Sequence, residues 1–284
     1  MTPWLLVLLS SLMLTVNLCA QTVEIDESLD RSGESVKVLA TDLDAGFMIQ
    51  TYREGPEKAV VEAQCRTIRS DWNQRWIGGP SSVRWTTPCQ VVIHRSQQSY
   101  LAAVGRWGGS TSGSSLVRRE PDGSTTRRID LLPTPNGECT SLAHELVHVM
   151  LADHFPAGTP LWIDEGLALL CDTPQKQSMH WRDCAIAMQS GTMLPLQRLM
   201  ELDRPTSPAQ FAAVYGQSLT LTRFLATKED PVKILEFVRH ARKSGHLDAM
   251  QTIYGIRGWE ELEREWRAYV NSHAEVSRFR RRAT

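Results

Sequence analysis

An α+β fold is predicted, with a small mixed N-terminal sheet and its helices, then a mainly helical C-terminal lobe, and a cleft between the two. Three observations predict it. The only clear hairpin pattern lies before residue 137. Short apolar runs in that half are broken by Pro, Gly and Ser. Beyond it, apolar residues recur at helical spacing. A chain of 284 residues is long enough for one sizeable domain, or for two small lobes sharing a cleft. The lobes are placed at 21–137 and 138–284, together as one domain.

The first twenty residues carry no charged side chain, and Trp4 to Val16 is almost wholly apolar, followed by Leu18-Cys19-Ala20. This reads as a secretory signal cleaved after Ala20, and the chain is expected to be secreted or periplasmic. The stretch is short for a membrane-spanning helix, which needs about twenty apolar residues. It departs from the usual signal in having no Lys or Arg at its start. Leu18 argues against a lipid anchor on Cys19.

Residues 21–55 read as an irregular lead-in with one or two strands. Val60, Val61, Cys65, Ile68, Trp72 and Trp76 are helically spaced, so 57–77 is predicted as a helix. Cys89 to His94 reads as a buried strand, and the Gly- and Ser-rich stretch from Trp107 to Ser115 as a loop. Ser115–Arg119 and Thr125–Leu132 flank E-P-D-G-S, in which Pro presets the turn and Gly supplies the positive φ that closes a hairpin. Pro133, Pro135 and Gly137 then break the chain. Phe211, Val214, Ser218, Leu221 and Leu225 share one helix face, as do Leu262, Trp266, Tyr269 and Val270.

The formal net charge of -1 gives no field that favours nucleic acid or an anionic membrane. The basic run Arg278, Arg280, Arg281 and Arg282 is read as a solvated tail. Export permits disulfides. Cys65, Cys89, Cys139, Cys171 and Cys184 follow the signal, so at most two bridges form and one thiol is left over. Cys171 with Cys184 is the first pairing expected, and the second is open. No C-x-x-C spacing points to a cysteine zinc site.

Residues 144–148 read H-E-L-V-H. Positions four apart on a helix share a face, so His144 and His148 can present two imidazoles to one metal ion. Glu145 leans to the same side, badly placed as a ligand but able to reach a metal-bound water. Zinc lowers the pKa of such a water to about 7, and a neighbouring carboxylate takes its proton as it attacks a carbonyl. The bland alternative is a helix with two exposed histidines and a glutamate.

A catalytic zinc needs a third protein ligand and an open fourth position. Two residues compete for the role. His154 would serve if the chain left the helix sharply at residue 151, but Leu151 favours continuation, and His154 then points roughly 80° away from His144. Glu165 is better placed. Pro156, Gly158 and Pro160 make a stop and a turn, and L-W-I-D-E-G-L-A-L-L begins a second helix. In an antiparallel helical hairpin, Glu165 comes level with His148. Gly166 and Ala168 permit close approach of the helices.

H-E-L-V-H, a short proline-containing turn and P-L-W-I-D-E-G-L-A resemble the gluzincin metallopeptidases. The likeness is to their compact bacterial peptidase-MA-like group, and more distantly to aminopeptidase N. Its specific part covers residues 138–171, with a looser similarity through V-Y-G-Q-S-L-T-L-T-R-F-L and W-E-E-L-E-R-E-W-R-A-Y. The resemblance implies a zincin-like fold and one Zn2+ on His144, His148 and Glu165, with Glu145 as general base. It also implies Tyr215, ahead of a helix, as donor to the oxyanion of the tetrahedral intermediate. Asp164 is a candidate to orient a ligand. The substrate is then a peptide or protein, bound in part along the hairpin edge. Two departures stand out. There is no G-x-M-E-N segment, which makes an endopeptidase the better expectation than an aminopeptidase. Leu169 stands where thermolysin-like enzymes place an orienting aspartate. The rival readings are a non-catalytic zinc-holding domain that binds a protein or peptide, and a helical hairpin that serves only packing.

Overall fold

Alternation opens the described fold. Phe47 and Ile49 turn inward while Met48 and Gln50 face out, the period of a half-buried strand, β1 (Phe47–Thr51). The computed structural model describes residues 46–51, 57–80 and 84–282, so the expected signal and most of the lead-in lie outside the described residues. Helix α1 (Glu57–Trp76) buries Val61, Cys65, Trp72 and Trp76 on one face and leads back to β2 (Cys89–Ile93), parallel to β1. Ser96 then caps α2 (Gln97–Val104), its hydroxyl accepting from Ser99 N. A short 3-10 turn at Arg106–Ser110 occupies part of the expected loop.

The hairpin forms as β3 (Gly113–Arg119) and β4 (Thr125–Leu131), closed by Gly123 at φ 85° with its N–H on Glu120 O. The strand order is β1-β2-β4-β3, with β2 and β4 parallel and β3 antiparallel at an edge. Edge position leaves one row of β3 backbone groups without a strand partner in this sheet.

The rest is helical: α3 (Leu142–His154), α4 (Leu161–Leu170), α5 (Pro174–Ser190), α6 (Leu196–Met200), α7 (Pro208–Lys228), α8 (Lys233–Ser244), α9 (His246–Tyr254) and α10 (Trp259–Arg282). This is the α+β arrangement expected, with helices throughout the C-terminal part. The basic run at 278–282 ends α10. No described helix is long and apolar enough to cross a membrane.

Two contacts position the site. The first joins sheet to helix: Arg127 of β4 and Asp153 of α3 pair at 2.7 Å, each 5% exposed, and Trp85 Nε1 donates to the same carboxylate at 2.6 Å. The second is the approach of α7 to α4 and α5, which small residues make close. A Cβ on Gly166 would lie 2.0 Å from Thr222 Oγ1 and 2.8 Å from Ser218 O. One on Gly216 would lie 2.6 Å from His180 O and Cys184 N. The core stretch Gln217, Ser218, Thr220 and Thr222 of α7 is fully buried.

The cysteine pairing needs correction. All five described cysteines are free thiols, and the Cys171–Cys184 bridge is not formed. Cys171 sits at the end of α4, whereas Cys184 lies far along α5 with Sγ 3.4 Å from Thr220 Oγ1. From Pro174 to Cys184 the helix rises about 15 Å, well beyond the Cα reach of a disulfide.

Candidate metal centre

Helical spacing puts His144 and His148 one turn apart on α3, with ring centroids 4.9 Å apart. Phe155 ends that helix, and Gly158, at φ 92°, lets the chain reverse within the short turn before α4. The two helices pack together, and Glu165 arrives opposite the imidazoles with its side chain fully buried. Its Oε2 lies 3.7 Å from His144 Nε2. One ligand atom from each of His144, His148 and Glu165 lies within 4.8 Å of the others. Among the described residues they are the group of three able to hold a metal ion.

The donor set fits zinc. Two imidazoles and a carboxylate are three protein ligands, the number a catalytic site takes when its fourth position stays open. Glu165 Oε2 is buried without a hydrogen-bond partner. An ionised carboxylate placed so is costly unless a cation faces it. Burial pushes the Glu165 carboxyl above its ordinary range, and His148 and His144 pull against that.

Both histidines are oriented by carboxylates. His148 Nδ1 lies 3.0 Å from Asp164 Oδ2, and His144 Nδ1 lies 3.2 Å from Asp172 Oδ2. Engaging Nδ1 in this way leaves Nε2 available to a metal ion. Lys176 Nζ lies 3.3 Å from both Asp172 Oδ1 and Ser141 Oγ, and so steadies the outer carboxylate. Burial disfavours a charged His148, but Asp164, with Glu165 and Glu145, outweighs it and lifts the imidazole to about 10. His144 is raised too, since Asp172 and Glu145 overcome burial and the neighbouring His148. Asp172 is lowered despite its burial, because His144 and Lys176 stabilise its charge. The site therefore concentrates negative charge around two nitrogen donors.

Glu145, 7% exposed, lies beside the three without joining them. Ser115 of β3 donates to its Oε2 at 2.9 Å. Gly113, on the same strand, makes the room: a Cβ there would lie 2.7 Å from Glu145 Cγ and Oε1 and from Ser141 Cβ.

Tyr215 does not stand ahead of a helix, as the resemblance implied, but inside α7. Pro208 at the first turn, after the Ser207 cap, starts that helix early. The phenol donates to Glu165 Oε1 at 3.1 Å, and its ring lies between His180 at 5.9 Å and Phe211 at 6.1 Å. Burial and the Glu165 charge push its ionisation well up, so it is a donor at neutral pH. His154 ends α3 with its ring 5.6 Å from Trp72 and is not in the metal group.

Sequence reasoning missed Asp172, Ser115 and Lys176 in these roles. The D-T-P that follows α4 signals a helix start, with Thr173 as cap and Pro174 in the first turn of α5, but nothing local aims Asp172 at His144. A cavity of about 560 Å³ opens beside the centre, walled by His148, Asp164, Val117, Pro160 and Met200 among others. No family model matches this chain, and no curated protein matches it.

Proposed function

We propose that this chain is an exported zinc metallopeptidase that hydrolyses internal peptide bonds of a peptide or protein, as the gluzincin resemblance implies. The observation that carries the reading is the convergence of His144, His148 and Glu165 from two helices, with Glu145 held beside them by Ser115. Zinc bound there supplies a Lewis acid for the scissile carbonyl and makes water nucleophilic near neutral pH.

The chain's own groups do the rest. Ser115 fixes one oxygen of Glu145, so the other takes the proton of the attacking water and returns it to the leaving amine. Asp164 and Asp172 keep each ring turned with Nε2 inward. Tyr215 holds the Glu165 carboxylate, and its role toward the oxyanion requires the phenol to swing from Glu165 Oε1. An extended substrate pairs with the open edge of β3, the strand that carries Ser115.

Elemental analysis combined with peptide-library digestion tests this. One zinc per chain and cleavage by wild type, with zinc retained and cleavage lost in Glu145→Gln, are expected. Zinc without cleavage by the wild type points instead to the non-catalytic binding domain. Absence of stoichiometric zinc leaves only the packing role.

A further inference from the structure

A larger cavity, of about 1300 Å³, lies where the parallel strands end: Thr51, Ile93 and Leu132 are on its wall. Open sheets of parallel strands hold ligands beyond the carboxyl ends of their strands. None of its lining residues belongs to the metal centre.

One part of its wall is polar. His94, 4% exposed, lines it. Its Nε2 is 2.7 Å from Asp130 Oδ1, and Asp130 accepts two further hydrogen bonds from Arg128, each 2.7 Å. Since Asp130 is an acceptor, Nε2 carries a proton. The other ring nitrogen, Nδ1, is buried and has no hydrogen-bond partner among the described residues. A buried polar atom left so is destabilising unless a ligand or water satisfies it. Arg95 comes next in the chain, exposed and on the same wall, with no ion pair among the described residues. Ser96 and Gln97 also line the cavity and begin α2. The first N–H groups of a helix have no intrahelical carbonyl and favour anions.

Elsewhere the wall is mixed: Val60, Val61, Pro133 and Pro135 give it an apolar stretch, and Gln64, Asn136 and the carboxylate Glu138 are polar. We infer that the cavity binds a small amphipathic anion, a carboxylate or phosphate monoester. Its charged end sits among Arg95, the start of α2 and His94 Nδ1, and its apolar body lies against Val61 and the two prolines. With its Nε2 proton engaged by Asp130, the ring offers Nδ1 as an acceptor for an acid hydroxyl of the ligand, and Arg95 supplies the positive charge.

Calorimetric titration of the full chain with octanoate and with phenyl phosphate tests the site. One of the two is expected to bind saturably, one per chain, and about tenfold or more weaker to Arg95→Gln at an unchanged melting temperature. Arg95 is exposed, so that variant folds, and His94→Gln is expected to weaken binding in parallel. Metal-stripped protein is expected to bind equally well, which separates this site from the metal centre. Failure of both anions to bind at millimolar concentration, equal affinity in Arg95→Gln, or loss of binding on stripping the metal would each overturn the inference. Inorganic phosphate binding as tightly as phenyl phosphate would overturn the apolar half of the site.

Discussion

Replacing Gly166 by Ala probes how the metal centre is assembled, because Gly166 adjoins Glu165 and faces α7. The added Cβ would lie 2.0 Å from Thr222 Oγ1, 2.9 Å from Thr222 Cβ and 2.8 Å from Ser218 O. The hydroxyl can rotate aside, but Ser218 O is backbone. Opening that contact from 2.8 Å to an ordinary 3.4 Å moves α4 about 0.6 Å from α7. Overpacking of this kind costs about 1–3 kcal/mol, and exchanging Gly for Ala within a helix returns about 1 kcal/mol. The net loss expected is therefore about 0–2 kcal/mol, read by urea denaturation of chelator-treated protein. If the proposed zinc site is right, the larger effect falls on metal affinity, because the carboxylate retreats from both imidazoles. Displacing groups that orient a metal site commonly lowers affinity by roughly 10–100-fold, and a competition titration against a chromophoric chelator should detect a loss of that order. Adding Thr222→Ala removes the clash with Oγ1 but not those with the Cβ at 222 and with Ser218 O, so the double variant keeps most of the defect. A Gly166→Ala protein more stable than wild type, with zinc affinity within about twofold, would refute the reasoning.

Three further outcomes follow from the packing and charges described above. Gly113→Ala crowds Glu145 at 2.7 Å, so it should lower peptide hydrolysis by roughly 10–100-fold while zinc content stays at one per chain; unchanged turnover would sink the role given to that glycine. Asp153→Ala leaves the Arg127 guanidinium buried without its carboxylate and removes the partner of Trp85 Nε1, a loss of about 3–5 kcal/mol in urea denaturation; a loss under about 1 kcal/mol would show that water reaches the arginine. His154 is held below its ordinary value by burial, with Arg239 adding to the effect, so the unfolded chain binds its proton first on acidification. Its stabilising contribution is present above about pH 6.5 and is lost as pH falls through that value toward the lower folded one. His154→Gln should flatten the fall in stability of metal-free protein between about pH 7 and 5, and an unaltered slope would remove His154 from the account.

Much of the architecture can be read from local pattern. Cys65, Trp72 and Trp76 recur at helical spacing and form the buried face of α1, and E-P-D-G-S forms the turn between β3 and β4. Tyr215 shows pattern and resemblance at odds: the helical spacing from Phe211 to Leu225 runs through residue 215, as α7 does, whereas the resemblance implied a tyrosine ahead of a helix. Cys171 and Cys184 are close in sequence, yet the rigid rise of α5 separates them.

Sequence alone determined that His144 and His148 share a face, since four residues make about one helical turn. It also determined that Glu165 returns to them, since a Gly- and Pro-containing turn folds α4 back on α3. Tertiary structure alone decided which groups tune these residues: Asp172 on His144, Ser115 on Glu145, and Tyr215 on Glu165. Those partners lie 28, 30 and 50 residues apart in the chain and on separate elements. Periodicity describes a residue relative to its own helix or strand. Which side chains meet across elements depends on how closely the backbones pack, and here that is governed by missing side-chain atoms at Gly113, Gly166 and Gly216.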